Sequence, residues 1–148
     1  MSRVKLNLIA AACENMGIGV NGALPWRLKK EMAYFTTMTT KVKDPSKVNA
    51  VIMGRRTWDC IPDKYRPLSD RVNIVLTHNV DAVKEKAAMT HPNCGKIYLT
   101  EIQKSFDCDT FFPNIDKQQF HLVNENEIPE ERQSEGEISY FFRVYKRL

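Results

Sequence analysis

An α/β fold in a single domain is what this sequence predicts. Apolar runs of strand length at residues 4–12, 48–53, 71–77 and 96–102 alternate with helix-like stretches at 27–40 and 81–89, the succession that βαβ units produce. Two more strand-like runs, 118–124 and 137–146, read as an antiparallel hairpin at the C-terminal end. A length of 148 residues suffices for one ordinary domain and is too short for two.

Residues 4–12 are apolar on both faces after Lys5, which predicts a central, covered strand. The next stretch, ENMGIGVNGALPW at 14–26, holds Gly17, Gly19, Gly22 and Pro25 and reads as a loop able to approach a ligand closely. Over 27–40 a step of 100° per residue puts Leu28, Met32, Phe35 and Thr39 on one helix face, with Met38 at its edge. Glu31 falls within that stripe. Two readings stand for it. It is a boundary carboxylate that reaches water, or a desolvated one whose pKa rises above the reference of about 4.3 and which can donate a proton near neutral pH.

VNAVIM at 48–53 is a second buried strand and ends at Gly54. Arg55, Arg56 and Thr57 open a short helix after it. Backbone N–H groups and two cationic side chains there could face a phosphate, and a solvated basic turn is the alternative. The motif is shorter than a P-loop, and the chain has no GxGxxG. IPDKYRPLSD at 61–70 is a Pro-rich loop. RVNIVLT at 71–77 is a third strand, with Arg71 at its mouth able to pair with a carboxylate or to form a surface salt bridge. The acidic stretch 125–137 between the two hairpin strands is expected to be exposed. Asp107 and Asp109 lie beside an aromatic turn and far from any His, which argues against a metal or acid–base role for them.

Composition narrows the function classes. Hydrophobic residues make up 43% and charged residues 27%, a globular balance. No run approaches the roughly 18 apolar residues of a membrane span, so no membrane association is expected. Residues 1–74 carry 13 basic and 6 acidic side chains, and residues 75–148 carry 9 and 12. The first half either favours anions or shows ordinary scatter of charge. Nucleic acid is not the expected partner, because no RNP, helix-turn-helix or zinc motif is present and aromatics are not interleaved with the basic residues. Cys13, Cys60, Cys94 and Cys108 form no CxxC and no zinc-finger spacing, so no metal is expected. The N-terminal run is a poor signal peptide, which leaves reduced thiols in the cytosol as the expectation.

The ordered pieces LIAAACENMGIGVNGALPW, KKEMAYF, VIMGRRTW, IPDKYRPL, RVNIVLT, IYLTEI, DCDTFFP and FFRVY together resemble the animal-type dihydrofolate reductases. The resemblance runs from about residue 4 to 77 and from about residue 84 to the C terminus. It implies a single dihydrofolate reductase-like domain over 1–148 with a mixed sheet, mostly parallel, an antiparallel C-terminal hairpin and flanking helices. It also implies NADPH as cofactor, dihydrofolate and antifolates as ligands, and a cytoplasmic monomer.

By the same resemblance Glu31 stands where the family has its active-site carboxylate, and residues 16–26 stand where a mobile loop closes over nicotinamide. Trp26 matches the tryptophan that orders water near the carboxylate. Thr100 matches the threonine that hydrogen-bonds the carboxylate and the pterin amine. Ile9 and Ala10 match pterin-pocket strand positions, and Phe35 the aromatic that packs on the pterin. Arg71 matches the arginine that holds the α-carboxylate of the folate glutamate. Ala11, Ile18 and Gly22 match cofactor positions. Gly54, Arg55, Arg56 and Thr57 match the cofactor phosphate site, with Thr77 and His78 at the 2′-phosphate.

Several positions depart from the family. His78 stands where Arg is usual, which bears on the preference for NADPH over NADH. Cys60 stands where a serine often faces folate, and Tyr65 where an asparagine is common. The larger departure is between RVNIVLT and VKEKAAMTHP. The family has a strand, a helix and a strand there, roughly 35 residues with connections. This chain has six, at 78–83. That segment carries the family's Gly-Gly motif, and the glycines here, at 17, 19, 22, 54, 95 and 136, form no such pair. One central strand is thus expected to be missing. Its loss would open about 9–10 Å between the strands at 4–12 and 48–53, unless they pair directly or another segment fills the gap. NADPH binding should suffer most. The alternative function is a catalytically weak, folate- or antifolate-binding relative or shortened isoform.

Overall fold

The computed structural model describes residues 5–76, Met89 and residues 94–148. In chain order the elements are β1 (Leu6–Ala12), β2 (Gly17–Gly19), α1 (Lys29–Thr40), β3 (Ala50–Gly54), α2 (Arg55–Cys60), a 3-10 turn (Asp63–Tyr65), β4 (Val72–Leu76), β5 (Cys94–Ile102), β6 (Thr110–Phe111), β7 (Phe120–Val123), β8 (Gln133–Glu135) and β9 (Ile138–Arg147). They fall into two compact units, residues 1–26 with 82–148, and residues 27–81. The predicted helix at 81–89 lies outside the described residues, except that Met89 is helical and buried.

The first unit is built on a sheet in the order β1-β5-β9-β7, with β8 also paired to β9. β1 runs parallel to β5, and β9 runs antiparallel to β5, β7 and β8. The sheet is mixed, as expected, but antiparallel ladders outnumber parallel ones among the described residues. The reason is β9, a ten-residue strand that serves three partners. β5 lies between two long neighbours and is covered accordingly: Ile97, Leu99, Thr100 and Ile102 are each at most 3% exposed. Ile97 and Leu99 pack with Ala12, Met89, Cys94, Phe112, Phe120 and Tyr145 in one cluster.

Two expectations for this unit need correction. β1 is not central in its sheet: β5 is its one partner among the described residues, and only Ala12 in it is fully buried. Apolar composition reports covered faces and not the number of hydrogen-bonded neighbours. The acidic stretch is not all exposed loop either. Gln133–Glu135 folds back on Ile138–Tyr140, turning at Gly136 with φ 61°, and Gln133 is buried.

The second unit holds α1, α2 and a parallel pair, β3 and β4, as a separate two-stranded sheet. α1 begins at Lys29, two residues after the expected start, and carries no side-chain N-cap. Its C-terminal carbonyls are met by Asn49, whose Nδ2 donates to the carbonyls of Thr39 at 3.0 Å and Lys41 at 2.8 Å. The buried face is Leu28, Glu31 and Thr39, with Phe35 half-buried. Met32 is 47% exposed and leaves the predicted stripe, lying at its edge about 20° past Thr39. The sequence predicts β3 as a buried strand. Ile52 is instead 53% exposed and Val72, Ile74 and Leu76 are 40–49% exposed. The register Ala50↔Val72, Ile52↔Ile74 and Gly54↔Leu76 puts them on one face of the ribbon. A parallel pair normally has both faces covered, and here one is not.

Candidate active site

In the second unit, α1 presents Glu31, Phe35 and Thr39 at spacings of four residues on one face. Glu31 is 6% exposed, so it is buried and not a boundary carboxylate reaching water. It also lies in the first turn of α1, where the helix dipole favours a carboxylate's charge against the penalty of burial. Eight residues on, the Thr39 hydroxyl accepts a 2.8 Å hydrogen bond from Nη1 of Arg71. Arg71 Nε donates to the Ser69 carbonyl at 2.7 Å. The guanidinium is thereby fixed at the far end of the face that begins with Glu31. At 1.5 Å rise per residue, eight residues separate the two ends by about 12 Å.

Gly54 ends β3 and is the N-cap of α2, with no side-chain cap. The first N–H groups of α2 thus have no acceptor from the N-cap side chain, and Arg55, Arg56 and Thr57 around them are exposed. This donor set fits a phosphate. Arg55 is paired with Asp59 at 3.1 Å, both largely exposed, a contact that an anion could displace at little cost. Cys60 is exposed at the end of α2, and Tyr65 is 58% exposed beneath Lys64. Thr77 and His78 lie outside the described residues.

In the first unit the β1–β5 register sets Ile9 opposite Tyr98, Ala10 opposite Leu99 and Ala11 opposite Thr100. Three sequence-predicted positions thus line one ladder with Thr100, which is 1% exposed. Ile18 sits in β2, which pairs with β6. Gly22 follows Asn21 in a two-residue hairpin turn: Val20 and Ala23 exchange backbone hydrogen bonds at 2.9 Å, and Asn21 and Gly22 have φ of 50° and 76°. Both central residues at positive φ make it the turn type that Asn-Gly favours. The Asn-Gly pair in VNGAL was the signal that could have found it. Asp109, read as an idle carboxylate, accepts a 2.9 Å hydrogen bond from the Asn21 N–H and so pins this turn. Trp26 is 5% exposed and meets Phe106 edge-on at 5.5 Å. Its buried Nε1 has no hydrogen-bond partner among the described residues, the condition of an indole donor aimed at a non-protein acceptor. Among the described residues no three His, Cys, Asp or Glu side chains are grouped as metal ligands, and no helix is long and apolar enough to cross a membrane.

Comparison with known proteins bears on both units. The chain matches the family described as dihydrofolate reductase over residues 5–93 and again over 88–147. It is 70% identical to the dihydrofolate reductase of Heliothis virescens over 185 aligned positions, covering 100% of each chain. It is 39% identical to that of Aedes albopictus over 183 positions, covering 97% of this chain and 98% of the relative. Among solved structures, Schistosoma mansoni dihydrofolate reductase aligns with a TM-score of 0.80 at 30% identity, covering 98% of this chain and 99% of that one. The mixed α/β architecture is therefore of the dihydrofolate reductase type, and the chain belongs to the dihydrofolate reductase family of oxidoreductases.

Proposed function

We propose that this protein reduces 7,8-dihydrofolate to tetrahydrofolate with NADPH, as a cytoplasmic monomer feeding one-carbon and thymidylate metabolism. The observation that carries the reading is the α1 face, with a buried carboxylate at one end and, about 12 Å along the helix axis, Thr39 holding the Arg71 guanidinium. An elongated ligand with a hydrogen-bonding ring at one end and a carboxylate at the other matches that spacing of groups. The pterin would meet Glu31, with Phe35 against its ring, and the glutamate α-carboxylate would meet Arg71.

Each residue then has a task. Glu31, shielded from water, orients the pterin and supports delivery of a proton to N5. Trp26 offers its indole N–H to an ordered water. Thr100, Ile9 and Ala10 contribute the strand side of pterin recognition, and Cys60 contacts folate. Gly54, Arg55, Arg56 and Thr57 would hold a cofactor phosphate, with Thr77 and His78 at the 2′-phosphate, and Ala11, Ile18 and Gly22 near the nicotinamide. When bound, NADPH supplies the hydride that C6 receives.

This reading includes a missing internal segment. Supporting it, the alignment with the Heliothis relative spans 185 positions and the chain has 148 residues, a difference of 37 (185 less 148). The chain has no Gly-Gly pair, and its family match is split into two stretches meeting at residues 88–93. The expected cost falls on NADPH binding. A second reading, a folate or antifolate binder with weak catalysis, is favoured by the single partners that β1 and β3 have among the described residues and by the exposed face of β3–β4.

The test is product analysis after incubation with dihydrofolate and NADPH. Tetrahydrofolate and NADP⁺ forming in equal amounts support the reductase. A cooperatively unfolding protein that forms no tetrahydrofolate, and whose melting temperature rises with folate but not with NADPH, overturns it in favour of the second reading.

A further inference from the structure

The structure assigns Cys13 and Cys108 to one dithiol, and we propose that a small disulfide of the glutathione class oxidises it to a reversible crosslink that restrains the Gly-rich loop. Cys13 follows β1 and is 3% exposed. Its thiol donates to Asn15 Oδ1 at 2.7 Å. Cys108 comes from the segment between β5 and β6 and reaches the same spot, since the Asn15 Oδ1 that takes the Cys13 thiol lies 3.0 Å from where a Cβ on Gly17 would stand. The Cys108 side chain lies directly over Gly17, where an added Cβ would stand 2.3 Å from its Sγ.

The two segments are already held together around this pair. Glu14 N–H donates to the Lys104 carbonyl at 3.1 Å, Asp109 N–H to the Gly19 carbonyl at 3.0 Å, and Phe112 N–H to the Met16 carbonyl at 2.8 Å. Asn15 Nδ2 adds a bond to the Phe106 carbonyl at 3.1 Å. With the backbones of the two segments tied together, bringing the two sulfurs to the bonded distance of about 2.0 Å calls for side-chain rotation.

Exposure sets the order of events. Cys108 is partly exposed and Cys13 is buried. The Cys108 thiolate attacks one sulfur of the small disulfide and expels one thiolate. The Cys13 thiolate then attacks the Cys108 sulfur and expels the second. Two thiol protons pass through solvent to the two leaving groups. The dithiol loses two electrons, and the reagent is reduced to two thiols. Burial and the Cys13 contact, with the charge of Asp109, hold the Cys108 thiol above its ordinary range, opposed by the Gly19 N–H. The exchange is therefore slow near neutrality and is best driven in mildly alkaline buffer.

The crosslink would fix residues 13–17 at the base of the loop that runs to Trp26. Its effect on turnover rests on the reductase reading, and its formation does not. The experiment treats the folded wild-type protein with oxidised glutathione, alkylates the remaining thiols and maps peptides by mass. A linked Cys13–Cys108 peptide pair, two hydrogens lighter and released by dithiothreitol, is expected, with slower amide exchange over 14–26. Oxidised protein should also turn over on the order of tenfold more slowly, recover with dithiothreitol, and be spared by Cys108→Ser. Cys108 that remains alkylated or keeps its glutathione overturns the dithiol. A formed crosslink with unchanged amide exchange overturns the restraint. Reduced wild type without turnover refutes the reductase reading alone, since mass and exchange still report on the crosslink.

Discussion

Replacing Gly17 by alanine places a methyl group in occupied space. The new Cβ would meet Cys108 Sγ at 2.3 Å, Cys108 Cβ at 2.6 Å and Asn15 Oδ1 at 3.0 Å, against comfortable carbon contacts of about 3.5–4.0 Å. A rotamer change can withdraw the sulfur. It cannot withdraw Cβ, so the backbone around Cys108 must shift by about 1 Å. That backbone is held by the Asp109-to-Gly19 bond at 3.0 Å and by the Asn21-to-Asp109 bond at 2.9 Å. Overpacking of this kind costs about 1–3 kcal/mol, offset by about 0.4–1 kcal/mol from the stiffer unfolded chain. The net loss is about 1–2 kcal/mol, which at about 2–4 °C per kcal/mol lowers the melting temperature by roughly 2–8 °C. Thermal unfolding of Gly17→Ala, Cys108→Gly and the double variant measures it. The two costs should couple by about 1 kcal/mol, since removing Cys108 removes the clash. A Gly17→Ala protein as stable as wild type, or costs that simply add, would refute the reasoning.

Three further outcomes follow from the geometry. Arg71→Met should raise the KM for dihydrofolate by roughly 10–100-fold, the worth of a charged hydrogen bond, with a smaller change in kcat in steady-state kinetics; an unchanged KM removes Arg71 from the site. Ile97, fully buried, should cost about 2–5 kcal/mol when cut to alanine, read by urea unfolding. The Tyr145 phenol donates to Glu101 at 2.6 Å, and burial followed by that bond pushes its pKa above the ordinary 10.0. Because the folded value is the higher, this stabilisation is complete below pH 10 and is lost as pH rises past it. Wild type should therefore lead Tyr145→Phe in melting temperature near neutrality and lose that lead above about pH 10, whereas a constant difference would contradict the assignment.

Much of the fold is legible in the sequence where period and burial agree. β5 carries Ile97, Leu99 and Ile102, and pairing on both sides buries them as their composition demands. α1 is visible in its period, and Glu31 stood out because a carboxylate interrupts an apolar stripe. β2, β6 and β8 are two or three residues long and polar or Gly-rich. β2 and β6 pair across about ninety residues, which no local pattern records, whereas β8 meets β9 through the tight turn at Gly136 and is hidden by its shortness and polarity. The exposure of Ile52 and Ile74 was hidden for a related reason. An apolar strand states that it wants cover and not whether the chain supplies it. The contact of Asp109 was not legible because its partner is the backbone of Asn21, a contact made by tertiary structure. The roles of Glu31, Arg71 and Gly54–Thr57 came from family resemblance, since spacing alone left each with a plain surface alternative.

The most direct measurement is the initial rate of NADPH oxidation with dihydrofolate by the wild-type protein beside Glu31→Gln, both checked for cooperative unfolding. Glutamine keeps the size of the side chain and removes its capacity to hold a proton at the pterin. The account predicts turnover by the wild type and a fall of about a hundredfold or more in kcat/KM for the variant. Equal rates for the two folded proteins, or none from the wild type, would contradict it.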